Sequence, residues 1–434
     1  MVSIKFLGAC REIGRSAVLV ESKNGVKCML DYGIRFSGEE RLPCTTNVEN
    51  LKAIALTHSH IDHSGGLPFL YKTEKVPFFT NSISLALADI LIKDMIRISK
   101  YPFPFGYREL ESLKQNSYFL TNGIRQKIAD NFFITFIDAG HIPGSVSILL
   151  EVDHKTILYS GDLNTQITNL IHSANYIDIP EIDALIIEST YALRKHPPRE
   201  QLEREFVEKI TNVTDNGGTV LIPAFGVARS QEALLILEKY QYNGNIFIDG
   251  LARKITMLCL DYPSFIKNIK LFRSALRKAQ FVSRPKTRAK VKNTNGVIIA
   301  PSGMLKGGAA IEYIQAILND PLSAIYLVGY QVEGTPGRSL LDEGIFEYTE
   351  SRKNKPNFDM RIEAKCDYNY FDFSSHSDNF HIHNYIENLN FKKDSNSDVF
   401  CVHGDNKSAT SLASELVTKN YNSVAPETGE IYQI

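Results

Sequence analysis

The stretch Leu56 to Gly66, LTHSHIDHSGG, limits what this chain can be more than any other. It places three imidazoles and a carboxylate, His58, His60, Asp62 and His63, within six positions. The apolar run AIAL (Ala53 to Leu56) leads directly into it, and Gly65-Gly66 follows. On a strand, residues two apart face the same side, so the spacing predicts that His58 and His60 converge on one ion. Asp62 and His63, past the strand end, can turn toward a second ion nearby. Histidine is the commonest ligand for zinc-like metals, and a carboxylate beside it suits a hydrolytic centre. A polar turn with surface histidines is the plainer alternative, and it leaves the clustering after a buried strand unexplained.

With 434 residues the chain exceeds the usual size of one domain, so two or three are expected. A hydrophobic content of 43% and a charged content of 22% describe an ordinary globular protein. The formal net charge of −1 excludes a polycation, so a polyanionic partner has to be held by a local patch. Six scattered cysteines with no C-x-x-C pair read as free thiols in a reducing cytoplasm. The N-terminus reads as strand, turn, strand, and no run approaches the roughly 18 apolar residues of a membrane span. A soluble cytoplasmic protein with no membrane association is expected.

Short β-branched runs fill the first third: SIKFLG, SAVLVES, VKCMLDYG and AIALTH. Their close spacing predicts an antiparallel sheet of a sandwich. Ser82 to Lys100 has helical apolar spacing through Leu85, Ile90, Leu91, Met95 and Ile98. Strands resume at FFITFIDAGH, SVSILLEV, KTILYSGD and ALIIEST. From about Pro197 a strand-then-helix rhythm predicts a parallel α/β domain. After about Arg361 the strand-and-loop texture returns, with late helices near Asp378 to Asn388 and Lys407 to Thr418. The simplest reading is one domain, residues 1–194 and 361–434, interrupted by an inserted domain over 195–360. Between Lys267 and Lys292 the chain carries ten Lys or Arg and no Asp or Glu. That stretch is either a solvated basic helix and loop or a phosphate-tracking patch.

Further ligand-type residues stand at strand ends: Asp31 after CML, His141 after FIDAG, Asp162 in YSGD, Glu188 in IIEST and His403 in FCVHGD. His376 lies in DFSSHSD. His154, His172, His196, His381 and His383 lack such context and read as surface or packing residues.

These residues together resemble a known family. THSHIDH is similar to the H-x-H-x-D-H signature of the metallo-β-lactamase superfamily, and Asp31, His141 and Asp162 match its other motifs in order. ESTY, SSHSD and VHGD resemble the three added motifs of the β-CASP nucleases, which include the endonuclease subunit of the cleavage and polyadenylation specificity factor, its archaeal and bacterial homologues, and ribonuclease J. IPAFGVARSQE, APSGMLKGG and GYQVEGTPGRSLL resemble the factor-like branch, and the likeness spans essentially the whole chain. It implies an α/β fold, a four-layer αββα sandwich interrupted by a parallel α/β β-CASP domain. It also implies two zinc ions. His58, His60 and His141 would hold one, Asp62, His63 and His403 the other, and Asp162 would bridge them.

A pair of zinc ions roughly 3.5–4 Å apart suits an in-line displacement at phosphorus, and a carboxylate is the natural bridge. Asp31 would orient ligands. The leaving alkoxide needs a positioned acid, for which His376 is the candidate here and in the family. Glu188 would orient or tune a site histidine. The inserted domain would form the cap of a groove for a chain substrate. Within it Ser302, Gly303 and Met304, between a strand and a helix, are candidates for phosphate binding through backbone N–H groups. Arg229 and Arg338 would contact the nucleic acid or brace the cap.

The activity implied is a zinc-dependent ribonuclease acting on single-stranded RNA in 3′-end processing or decay. Endonuclease action is preferred over a 5′-to-3′ exoribonuclease of the ribonuclease J type. A homodimer and membership of an RNA-processing or decay complex are the partners implied. A small-molecule metallohydrolase fits poorly with so large an insertion. DNA-directed members typically carry valine where this chain has His403. A non-catalytic scaffold would have lost ligands that are all present.

Overall fold

The computed structural model describes residues 1–35, 38–73, 75–177, 179–350, 358–392 and 398–434. The chain divides into two compact units. The first comprises Met1–Ile167, His172–Lys195 and Ser375–Ile434.

Two seven-stranded sheets form the centre of the first unit. One has the order Ile431–Gln433, Ser3–Gly8, Ala17–Glu21, Lys27–Leu30, Leu51–Ala55, Phe78–Thr80, Ser117–Phe119. The other runs Asn422–Val424, Asp398–Val402, Ala184–Glu188, Lys155–Tyr159, Val146–Val152, Phe132–Asp138, Gln126–Ala129. Alternation along these strands sends Ile4, Phe6 and Val18 of the first sheet and Ile134, Ile148 and Phe400 of the second into one shared core. Phe6 and Phe400 meet across it with ring centroids 5.1 Å apart. Each large apolar side chain so buried contributes roughly 1.5–3 kcal/mol.

The opposite face of the second sheet packs Leu158, Leu185 and Ile187 against helices Asn379–Glu387 and Asn406–Thr418. The opposite face of the first sheet is covered by the 3-10 helix Leu67–Tyr71 and by Leu113 of helix Tyr107–Gln115. Helix, sheet, sheet, helix is the expected four-layer order.

Two expectations are corrected. The first sheet is mixed: its first three strands pair antiparallel, but Lys27–Leu30, Leu51–Ala55, Phe78–Thr80 and Ser117–Phe119 pair in parallel. Crossovers over the intervening helices bring them in side by side. The helix that follows spans Ser82–Ile98, opened by Asn81, whose side chain accepts from the Ser84 N–H. Its buried stripe is Ile83, Leu87, Ala88, Ile92 and Met95, so only Met95 of the anticipated face is buried, and Ile98 is exposed.

The second unit comprises Thr168–Ile171 and His196–Ser374. Its six-stranded sheet is wholly parallel, in the order Ala279–Val282, Ile246–Asp249, Gly296–Ala300, Thr219–Pro223, Ala324–Leu327, Asp367–Tyr370. Strands such as GVIIA and AIYL are buried along their full length, as in parallel sheets covered on both faces. Strand Asp367–Tyr370 and the antiparallel pair Ile345–Glu350 and Phe358–Glu363 belong to this unit, so the chain returns to the first unit at Ser375, later than 361. Among the described residues no helix is long and apolar enough to cross a membrane. All six cysteines are free thiols.

Candidate metal centre

Strand Leu51–Ala55 ends three residues before His58, so His58 and His60 do not lie on it. They stand in the following loop, and Asp62 and His63 sit on the short helix Ile61–Ser64. Convergence therefore comes from a turn and not from the alternation of a strand. The turn is packed tightly: a Cβ on Gly33 would lie 1.7 Å from the Asp62 carbonyl oxygen, so only glycine fits in DYG.

Asp31 fixes this turn. It is fully buried, with φ of 57° just past strand Lys27–Leu30. The Thr57 N–H (2.7 Å) and hydroxyl (2.8 Å), the Tyr159 hydroxyl (3.0 Å) and His63 Nδ1 (2.7 Å) all donate to its carboxylate. With its Nδ1–H so engaged, His63 presents Nε2 at 3.2 Å from Asp162 Oδ1. His141 is oriented in the same manner, its Nδ1 donating to the Ser375 carbonyl at 2.7 Å. His403, also left-handed at φ 49°, is held by Thr190, whose hydroxyl donates to the His403 carbonyl at 2.8 Å.

One donor atom from each of His58, His60, His141 and Asp162 lies within 4.8 Å of the others, and the same holds for Asp62, His63 and His403. His58 Nε2 and His141 Nε2 each stand 3.1 Å from His60 Nδ1. Asp162 Oδ2 lies 3.3 Å from His58 Nε2, and Asp162 Oδ1 lies 3.3 Å from His403 Nδ1, so one carboxylate faces both groups. Burial lowers the His58 and His141 pKa values and takes that of His60 down to about 3, which leaves these rings neutral, as ligands must be. For His63 burial opposes the charged form, but Asp162 and Asp31 outweigh it and raise its pKa well above the usual value. Asp162 is held well below the carboxylate range: burial would raise it, and His403, His63 and His58 prevail.

The donor set fits a metal. Asp162 Oδ1 and His403 Nε2 are buried and, among the described residues, make no aligned hydrogen bond, although His63 Nε2 lies 3.2 Å from the first and Asp62 Oδ2 3.4 Å from the second. Orphaned polar atoms in a buried site are costly, and a cation among these oxygen and nitrogen atoms would satisfy both.

Beside the cluster, His376 Nδ1 donates to both Glu188 oxygens at 2.8 and 2.9 Å. Its Nε2 points toward Asp162 Oδ2 at 3.9 Å. Glu188 is buried and also accepts from the Leu163 N–H at 2.7 Å and the Thr190 N–H at 3.3 Å. Asp162, Glu188 and His376 also form a third group of possible ligands, but two of the donor atoms are already joined by hydrogen bonds.

The other candidates lie in the second unit and take no part in this cluster. Ser302, Gly303 and Met304 are not at a helix start, because the next helix begins at Ile311. Their loop is tied internally: Ser302 Oγ accepts from the Lys306 N–H, the Gly303 carbonyl from Gln331 and the Met304 carbonyl from the Gly337 N–H. Arg229 is only 7% exposed and donates to the Phe373 carbonyl, and Arg338 pairs with Asp342 at 2.6 Å. Of the histidines set aside, His196 pairs with Asp372, His381 with Asp378 and His383 with Glu415. Thr57, Tyr159, Thr190 and Ser375 were not anticipated. Adjacency to the THSHIDH, YSGD, ESTY and SSHSD blocks was the only signal they carried.

Comparison with known proteins bears on the same residues. A model described as the Beta-Casp domain matches residues 230–340, and one described as the Zn-dependent metallo-hydrolase RNA specificity domain matches 361–426. Residues 7–181 match the model of the anti-Pycsar protein Apyc1. A protein of Methanocaldococcus jannaschii named "Probable RNase MJ4" is 32% identical over the full length of both chains. "RNase aCSPSF2" of Saccharolobus solfataricus is 32% identical over 98% of this chain and 84% of its own. "Transcription termination factor FttA" of M. jannaschii is 30% identical over 95% of this chain and 68% of its own. A crystal structure of a protein of unknown function from Enterococcus faecalis V583 shares the fold, with a TM-score of 0.61 at 13% identity over 99% of each chain.

Proposed function

The chain belongs to the β-CASP ribonuclease family of the metallo-β-lactamase superfamily, and from that premise we propose that it is a ribonuclease dependent on two zinc ions, cutting single-stranded RNA endonucleolytically in 3′-end processing or decay. The observation that carries this reading is the convergence of seven ligand-type side chains, with buried unsatisfied atoms on Asp162 and His403, beside the His376–Glu188 pair. His58, His60 and His141 would hold one ion, Asp62, His63 and His403 the other, with Asp162 between them. When bound, such a pair supplies Lewis acidity and an activated water for attack at phosphorus.

The chain's own residues do the rest. Asp31 and the Ser375 carbonyl hold the Nδ1 atoms of His63 and His141, so both rings present Nε2 inward. Cleavage leaves an alkoxide on the departing fragment, which needs a proton. His376 Nε2 faces the cluster and gives it that proton. Glu188 keeps the ring in the right tautomer and stabilises its charged form. His376 is 17% exposed, so it can recover its proton from solvent. The relatives named as ribonucleases and as a termination factor favour RNA as the substrate.

Internally labelled and 5′-end-labelled RNA, incubated with and without a chelator, tests the reading. Internal fragments that vanish with the chelator are expected. Mononucleotides released from a 5′-monophosphorylated substrate would contradict the endonuclease assignment.

A further inference from the structure

The basic stretch between Lys267 and Lys292 takes no part in the metal centre and lies wholly in the second unit. It forms helix Ile269–Lys278, edge strand Ala279–Val282 and helix Pro285–Val291. The first helix buries Phe272 and Ala275. Lys270, Arg273 and Arg277, at i, i+3 and i+7, share the opposite, exposed face. The second helix buries Val291 and exposes Lys286 and Lys290, four residues apart. Arg284 is exposed between the strand and that helix.

Four members of the stretch are engaged. Lys267 donates to the Thr168 carbonyl, Lys278 pairs with Glu238, Arg288 with Asp249 and Lys292 with Glu312. The other six, Lys270, Arg273, Arg277, Arg284, Lys286 and Lys290, have no ion-pair partner among the described residues. Helix Arg199–Asp215 differs, since Arg204 and Lys209 each meet a glutamate one turn earlier. Like charges three and four residues apart destabilise a helix, and here three such pairs stand on helices that contain no acid of their own. A solvated face would tolerate interspersed acids, but this one has none over 26 positions in a chain whose net charge is −1.

We propose that the exposed faces of these two helices, which precede and follow edge strand Ala279–Val282, bind the sugar-phosphate backbone of single-stranded RNA, without reading its sequence. The occupant follows from charge complementarity: separate cations on two flanking helices suit a flexible chain of separate anions, whose displaced counterions favour binding. The inference rests on the ribonuclease reading and deepens it, giving the enzyme a hold on RNA beyond the bond it cuts.

The test compares wild type with the variant Arg273→Gln, Arg277→Gln, Lys286→Gln, Lys290→Gln. All four side chains are exposed, and unchanged thermal melting checks that the fold is intact. Affinity for a long single-stranded RNA is measured against salt, in chelator so that nothing is cut. Loss of four phosphate contacts should flatten the plot of log affinity against log salt by about 3, at roughly 0.7 per contact. With metal restored, hydrolysis of a dinucleoside diester should stay at the wild-type rate while kcat/KM on long RNA falls at least about tenfold. An unchanged salt slope would overturn the proposal, as would displacement of the RNA by soluble polyglutamate at an equal concentration of negative charges, which would mark the face as one for an acidic polypeptide. A patch-dependent slope in a protein that cuts no RNA would support the surface and sink the ribonuclease reading.

Discussion

Three hydrogens reach the Glu188 carboxylate, from His376 Nδ1 and from the N–H groups of Leu163 and Thr190. That leaves His376 Nε2 as the one ring nitrogen able to serve a departing oxygen. Replacing His376 with Asn should lower kcat on RNA by about 10²–10⁴-fold and leave the bound metal unchanged. An aryl phosphodiester, whose phenolate leaves without a proton, should lose far less. Equal losses on both substrates would make His376 a packing residue. The ligand-type residues themselves were legible, because His, Asp and Glu at strand ends are chemically conspicuous. Thr57, Tyr159 and Ser375 were not: each is an ordinary polar residue whose use depends on where the backbone brings Asp31 and His141.

At the scale of elements, Asp183 pins the entry of two parallel strands, Lys155–Tyr159 and Ala184–Glu188. It accepts from the Thr156 N–H at 2.8 Å and from Lys155 and Lys392 at 3.1 and 2.6 Å. Burial would raise its pKa, but these donors win and hold it below the usual aspartate value. A depressed carboxylate adds stability above its unfolded-state value, and that stability is lost as pH falls through the folded-state value. Asp183→Asn should therefore melt several degrees lower at neutral pH, a loss of about 1–3 kcal/mol, with the gap to wild type closing as pH falls below about 4. A gap independent of pH would contradict this.

Apolar runs such as GVIIA and AIYL announced the parallel sheet, whereas DYNY (Asp367–Tyr370) has no such run because it is an edge strand, so its membership of that sheet was invisible. His58 and His60 had the spacing of a strand, but the strand stops at Ala55, and the turn is set by contacts to Asp31 that lie far away in sequence.

For the whole molecule, a net charge of −1 averages over a stretch with ten cations and no acids, so composition alone conceals a surface that phosphate would find. The insertion was legible from its change of rhythm, and its far boundary shifted because the sheet's last strand and an antiparallel pair extend it to Ser374. Both units depend on long-range pairing, and the metal centre draws its residues from four separated stretches of the chain, 58–63, 141, 162 and 403, which only the folded first unit unites. In the function proposed above, Asp162 of this unit stands between two zinc ions. Zinc per chain and cleavage of internally labelled RNA, measured together on wild type and Asp162→Asn, test it most directly. Two zinc ions per wild-type chain, with cleavage abolished in a folded Asp162→Asn variant, are predicted; full cleavage by that variant would contradict the proposed function.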